Sequence, residues 1–594
     1  MESSLCMESS LPTESSSHMK SSFCMESSSH MESSLCMGSS LWMGSSRHGV
    51  SSSAGTMLIA LLSCAAVSAA HGQREQHAHE RLGRVDFPVS CSAAAQTEFD
   101  HAVALLHHMT YPAAREGFQR TATIDPHCAM AEWGIAMTLF QPLWPTRPGP
   151  PELQQGWDAV QKARALAPPT RREQLFVDAA AAFFREPQSA DYWPRIERWE
   201  RAMAVLYTAY PHDPEAAAFY ALSQLATAPP GPGARAHADS AAEILMMVYE
   251  QNHHHPGAMH YMVHANDIAG REHDSPEIIR AYAASAPHNA HALHMPTHIY
   301  TRLGDWDAVV SGNLKAADAA LAQPVEAGGG RFVWDEFPHA VEYLVYAYLQ
   351  EGDDRRAAAQ MERLQHTARL QPTFKTAFHL SSIPARYTLE RHAWSDAMAL
   401  QPRQPPALDW DRFTWPEAVT WFARGLGAAR AGRPQLARRA YDRLGELEAA
   451  AKTADEDLFA RNIRLLRLEV GAWLAQAEGK RDSSVAMMRE AVELEAATPK
   501  HAVTPAPTLP ALELLGDMLL ERGDSADASA ALTAYEKSIQ LYPRRFNTLL
   551  GAARAARASA NPALARSFYE QLLAVANSGT RKPALDEARS FLRR

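Results

Sequence analysis

The chain has no long apolar run, no basic stripe and few cysteines, and each lack excludes something. Its longest apolar stretch, Met57–Ala70, is too short to span a bilayer comfortably. Lysine and arginine total 57 against 67 acidic residues, and the net charge of −10 is modest for 594 residues. Without a basic patch, nucleic-acid binding is not expected. Sustained period-2 runs of β-branched residues are missing, which argues against a sheet protein. The sequence also carries no G-x-S-x-G, no H-E-x-x-H and no P-loop, so the common hydrolase and nucleotide-binding signatures are absent. Of six cysteines, Cys6, Cys24 and Cys36 lie in an N-terminal tract and Cys64 in the apolar stretch. Cys91 and Cys128 are left for a mature chain. They either pair in an exported protein or sit as two separate buried thiols.

Residues 1–56 are serine-rich, with methionine returning every six residues in units such as MESSLC, MESSSH and MGSSLW. Little there can be buried, so a disordered tract is expected, with a Cys/His/Met metal-binding tail as the functional alternative. Residues 57–70 read as a signal peptide, MLIALLSCAAVSAA, with small residues before a cleavage near Ala70. Leu61-Leu62-Ser63-Cys64 also loosely matches a lipoprotein signal, which makes Cys64 a candidate lipid anchor. Both readings predict export, to the periplasm or beyond, and no transmembrane span after signal removal. Residues 71–89 would be a linker.

What is present is helix-forming: abundant alanine and leucine, with 46% hydrophobic and 21% charged residues. Proline-rich QPLWPTRPGPP (141–151) and PPGPG (229–233) interrupt the helical pattern and predict loops. Helices are expected across 152–186 and 194–209. Gly270, Gly304 and Gly352 stand where one helix turns into the next, and glycine readily supplies the left-handed residue needed there. Between the second and third of these units lies an insertion, QPVEAGGGRFVWDE, read as a lid over a groove or a plain loop. The reading is an all-α, tetratricopeptide-repeat-like α-solenoid: N-terminal helical repeats over 90–250, a central part over 251–400, and C-terminal units over 401–594.

The chain is organised around His253–Tyr300, where histidine is concentrated. His260 with His264, and His294 with His298, are i, i+4 pairs, which puts both imidazoles of a pair on one helix face. The pairs are offset by 34 residues, the tetratricopeptide period. The segments DPHCAMAEWGIA, HPGAMHYMVHA and HMPTHIYTRLGDW, with the C-terminal GAARAARA, resemble a widespread family of large tetratricopeptide-repeat proteins, often exported from bacteria. The resemblance covers about residues 90–575 and implies fold and layout, not a reaction.

In such an array the first helix of each unit lines the concave groove. Registered on the turn glycines, inner positions read Gly257, His260, His264; then His291, His294, His298; then His339, Glu342, Tyr346. A fourth unit, set on Trp394, reads His379, Ser382, Arg386. Imidazole binds copper, zinc, iron and nickel, and helix pairs build such sites readily. The candidate ligands are His260, His264, His291, His294, His298 and His339, holding a transition metal ion (copper, zinc or iron). Glu342 would be a base, a ligand or a group orienting an imidazole, Tyr300 or Tyr346 a proton donor, and Arg386 an anchor for an anionic substrate. Met259, Met262 and Met295 interleave with the histidines and read as core on helical geometry, although sulfur would favour copper. His253–His255 are expected at a helix start or loop, exposed. Hydrolytic and oxidative metalloenzymes fit equally. The alternative is a metal-free scaffold whose groove binds a peptide or protein partner, with a small molecule or a peptide as the ligand class expected in the groove.

Overall fold

The computed structural model describes residues 82–594 except 145–146, 190, 230–231, 328, 524 and 577–578. The readings of the hexad tract, the signal and Cys64 lie outside the described residues. The described residues belong to one compact unit, 70–594. Each helix touches the next along the chain from Ala93–His107 to Lys582–Leu592. Among the described residues the only strands are Val325–Ala327 and Gly330–Phe332. The fold is an all-α solenoid of helical hairpins.

Local chemistry explains where helices start. Proline stands at the first helical turn of Pro214–Ala226, Pro256–Asn266, Pro276–Ser285 and Pro434–Thr453, where its missing N–H costs nothing. The 152–186 span holds two helices, Pro150–Ala165 and Arg171–Phe184. Pro168-Pro169 ends the first, and a Thr170/Glu173 capping box opens the second. Gly304 (φ +66°) closes the helix Pro296–Leu303, and the Gly304 N–H donates back to Thr301. A side chain there would also strike the carbonyl of Pro543, 2.8 Å from an added Cβ. Central and C-terminal repeats therefore touch: Trp306 Nε1 donates to the Arg544 carbonyl at 2.9 Å, and Arg581 Nε pairs with Asp354 at 2.9 Å.

The buried core falls into several clusters along the array. An N-terminal cluster gathers Phe87, Phe99, Trp133, Phe176 and Phe219. A C-terminal cluster runs from Phe374 to Ala588. Each fully buried large side chain contributes about 1.5–3 kcal/mol. Cys91 and Cys128 form a disulfide between the start of the first helix and the third, Ala129–Met137. The insertion after Ala322 is a two-stranded antiparallel hairpin with Val325 opposite Phe332, and Val333 adds a parallel bridge to Leu370.

Three distant segments converge on the histidine-bearing helices. They are the helix Ala93–His107, the proline-rich loop around Leu143 and Trp144, and the C-terminal strap 498–509. Met109, Leu143, Trp144 and Ala502 line one cavity with His264, His291, His298 and His339. These histidines are thus covered rather than exposed on an open surface.

Candidate metal centre

The inner-face positions come together as two histidine triads. The helix Pro256–Asn266 carries His260 and His264, and the helix Ala290–His294 brings His291 to them. Met295–Pro296 then interrupts the helix, because proline has no N–H to continue the ladder. His294, just before the break, and His298, beyond it, turn to His339 of the helix Glu336–Gln350. Within each triad, one ring nitrogen from every histidine lies within 4.8 Å of the others. His260, His291, His294, His298 and His339 are 0–3% exposed.

The tautomers follow from the partners on the far side of each ring. His260 Nδ1 lies 2.6 Å from the carbonyl of His107, which can only accept. His291 Nδ1 lies 3.2 Å from Glu336 Oε1, and His298 Nδ1 lies 2.9 Å from Asp267 Oδ2. His294 Nδ1 faces Asn313 Oδ1 at 2.6 Å. The Asn313 amide is oriented by its own donation to the carbonyl of Val309 and to Thr297 Oγ1. All four Nδ1 atoms therefore carry the proton, and all four Nε2 atoms carry a lone pair. Those lone pairs point at one another: His260 to His291 at 3.1 Å, and His294 to His298 at 3.0 Å. His264 Nε2 is also 3.1 Å from His260 Nε2.

Two imidazole lone pairs at this distance repel unless something positive lies between them. A proton is opposed by the surroundings. Burial, then the neighbouring imidazoles, holds His260 well below its usual range. His264 is brought down to about 3 in the same way. Burial followed by His298 lowers His294, and burial lowers His298 despite Asp267. A metal ion meets the demand directly. Nitrogens about 2.0–2.1 Å from a tetrahedral ion stand about 3.3 Å apart, close to the spacing here. A ligating imidazole characteristically donates its other N–H to a carboxylate, carbonyl or similar group, as these four do.

His339 is oriented by a longer relay. Its Nδ1 lies 3.0 Å from His379 Nε2, and His379 Nδ1 donates to Glu342. The relay leaves His339 Nε2 with a lone pair. Glu342 also accepts from Ser382 Oγ at 2.7 Å and from Arg386 Nε at 3.2 Å. It therefore stands behind two imidazoles instead of touching a metal position. Arg386 faces away from the triads. Its guanidinium donates to the Pro507 and Ala506 carbonyls and to Thr504 Oγ1, so it holds the strap. Tyr346 takes a hydrogen bond from Arg545 Nη1 at 2.8 Å, and Tyr300 is only partly buried. Neither tyrosine lines the histidine cavity.

The tyrosine beside the triads is Tyr343, whose hydroxyl lies 3.2 Å from His298 Nε2. Its spacing signal was present, since it follows His339 by four residues. Asp267, Asn313, Glu336 and the His107 carbonyl had no such signal. Met259 and Met262 pack in the core, and Met295 both packs there and lines the cavity. That cavity has a volume of about 10 Å³, room for about one water-sized ligand. Lys375 pairs with Asp335 and Glu336 at 2.8 and 2.6 Å and lies over the Trp144 ring.

A third cluster provides a contrast. His107, Glu215 and His255 are buried together. The Ala258 N–H donates to His255 Nδ1, so His255 Nε2–H donates to Glu215 Oε1 at 3.2 Å. His107 bonds Glu215 Oε2 at 2.8 Å and the Tyr261 hydroxyl at 3.0 Å. Donors meet acceptors throughout, and no ion is required. His255 is thus a buried helix cap, whereas His253 and His254 are exposed as expected.

The fold and site together describe a helical-hairpin solenoid with a closed, histidine-rich inner face. No protein-family model and no curated protein matches the chain. Solved helical-repeat structures do align with it. Cut9 in the APC/C hetero-tetramer Cut9–Hcn1 is 13% identical, covering 84% of this chain and 90% of that one, with a TM-score of 0.29. The human IFIT1 dimer with PPP-AAAA is 12% identical over 82% and 91%, with a TM-score of 0.35. Yeast Tom70 is 11% identical over 84% and 95%, with a TM-score of 0.27. At such TM-scores these likenesses carry no argument. The fold rests on the helix order and the site on its own geometry.

Proposed function

We propose that the protein binds two transition metal ions, one in each histidine triad, at the inner face of the solenoid. The observation that carries this reading is the convergence of Nε2 lone pairs whose Nδ1 protons are committed elsewhere. Both triads border the same water-sized cavity, so each ion would keep a position open toward it, the pattern of catalytic rather than structural sites. Tyr343 would serve as proton donor at the second ion. Copper, zinc and iron suit an all-imidazole set. The chemistry is that of a metalloenzyme, hydrolytic or oxidative. The Cys91–Cys128 disulfide supports an oxidising compartment and hence export.

The test is metal content. The protein, made without a histidine tag, is loaded with copper, zinc or iron and measured by inductively coupled plasma mass spectrometry. Two ions per chain are expected, falling to one in His260→Ala/His264→Ala and to one in His294→Ala/His298→Ala. No bound metal under any loading would overturn the proposal.

A second reading has its own observation. A cavity of about 890 Å³ lies between the first helices and the β-hairpin, with Leu105, Pro112, Asn289, Arg331 and Trp334 in its wall. It is large enough for a small molecule or a short peptide. That ligand would bind beside the histidines rather than on them.

A further inference from the structure

The C-terminal repeats hold a cavity that the metal reading does not use. The helix Asp457–Ala477 presents Asn462, Leu465, Leu466 and Glu469 to it, one face at i, i+3, i+4, i+7 spacing. The strap 498–509 closes the other side. Its volume is about 80 Å³.

Glu469 is the anomaly. It is 1% exposed, and neither carboxylate oxygen has a hydrogen-bond partner. A buried carboxyl left so is costly, because it loses water and gains nothing. A second carboxyl, Glu495, lies close enough to act on it. Glu495 is held only by neutral donors, the Ala511 N–H at 3.1 Å and the Tyr542 hydroxyl at 3.5 Å. Lys500 also borders the cavity, but its ammonium pairs with Asp267 at 3.1 Å. Two carboxyls thus border one cavity, and neither is hydrogen-bonded to a cation of the protein, although Arg545 acts on Glu495 from farther off.

The rest of the wall selects the kind of cation. Phe378 and Trp415 line the cavity with ring centroids 4.7 Å apart, and His501 packs 5.4 Å from Trp415. Aromatic faces with a buried carboxylate suit an organic ammonium, which is held by cation–π attraction and a charge-assisted hydrogen bond.

We propose that this cavity is a binding site for a small alkylammonium group, with Glu469 as its counter-ion, Glu495 as an auxiliary acceptor, and Phe378 and Trp415 as its aromatic wall. The site is independent of the histidine triads and stands or falls without them.

Isothermal titration of the full chain with n-propylammonium chloride tests it, with n-propanol as the neutral isostere. The ammonium should bind at one site per chain and the alcohol should not. Glu469→Gln should weaken the ammonium by about tenfold or more, with metal content unchanged. Trp415→Leu should weaken it by a smaller factor. Circular dichroism shows whether each variant is folded, and Glu495→Gln, expected to weaken binding by a lesser factor, stands in if Glu469→Gln is not. No ammonium binding, equal binding of the alcohol, or an affinity indifferent to these substitutions would overturn the proposal and leave Glu469 as a protonated core carboxyl.

Discussion

Replacing Asn313 tests the tautomer argument without touching a ligand. Asn313 is fully buried, and its Oδ1 accepts the Nδ1 proton of His294 at 2.6 Å. Leucine fills nearly the same space but accepts nothing. Asn313→Leu therefore strands a buried N–H, which costs about 1–3 kcal/mol. The imidazole can escape that cost by moving its proton to Nε2, the atom that must face the metal. Metal affinity at the second triad should then fall about 10–100-fold, or about 1.4–2.7 kcal/mol. The first triad, held by the His107 carbonyl and Glu336, should be unaffected. Competition against a chromogenic chelator resolves the two sites. His107→Gln is the control: it breaks the hydrogen-bonded third cluster, so it should lower stability without removing either metal. A folded Asn313→Leu that keeps both affinities within about twofold would refute the reasoning, because the Nδ1 partner would then not govern the ligand.

Other predictions concern the closure and the core. Arg386→Gln removes the guanidinium that donates to four strap oxygens, so limited proteolysis should cut residues 498–509 about tenfold faster or more; an unchanged rate would contradict the role given to Arg386. Gly257→Ala places a Cβ 2.5 Å from His107 Nδ1, and urea unfolding should show a loss of about 1–3 kcal/mol. Burial, then the nearby Glu513, raises Asp517 from 3.8 to about 7. The folded chain holds this proton more tightly than the unfolded chain, so its contribution is present below about pH 4 and lost as pH rises toward 7. Asp517→Asn should therefore be more stable than the parent at pH 7.5 and no more stable at pH 4; a constant difference between the two pH values would contradict this.

Much of the site was legible because repeat architecture turns sequence period into spatial register. His260/His264 and His294/His298, 34 residues apart, could be placed on the inner face from the turn glycines. The same register put Glu342, His379, Ser382 and Arg386 near one another, and the structure joins them in one network. The division into triads was not legible. It depends on where the neighbouring helices stand: His291 meets the pair on the helix Pro256–Asn266, while His294 and His298 meet His339 on the helix Glu336–Gln350. Nor was the closure legible. The carbonyl that orients His260 comes from a residue 153 positions earlier, and the strap arrives from the C-terminal repeats. Periodicity reports which face a side chain occupies and says nothing of what distant segment covers that face. Arg386 shows the consequence: an exposed-groove reading made it a substrate anchor, whereas it is wholly buried against the strap.

The most direct measurement is anomalous diffraction from crystals of the metal-loaded protein, collected on either side of the metal's absorption edge. The account predicts two peaks, one among the Nε2 atoms of His260, His264 and His291 and one among those of His294, His298 and His339. A map with no peak at either triad, or with metal only at exposed histidines such as His253 and His254, would contradict it.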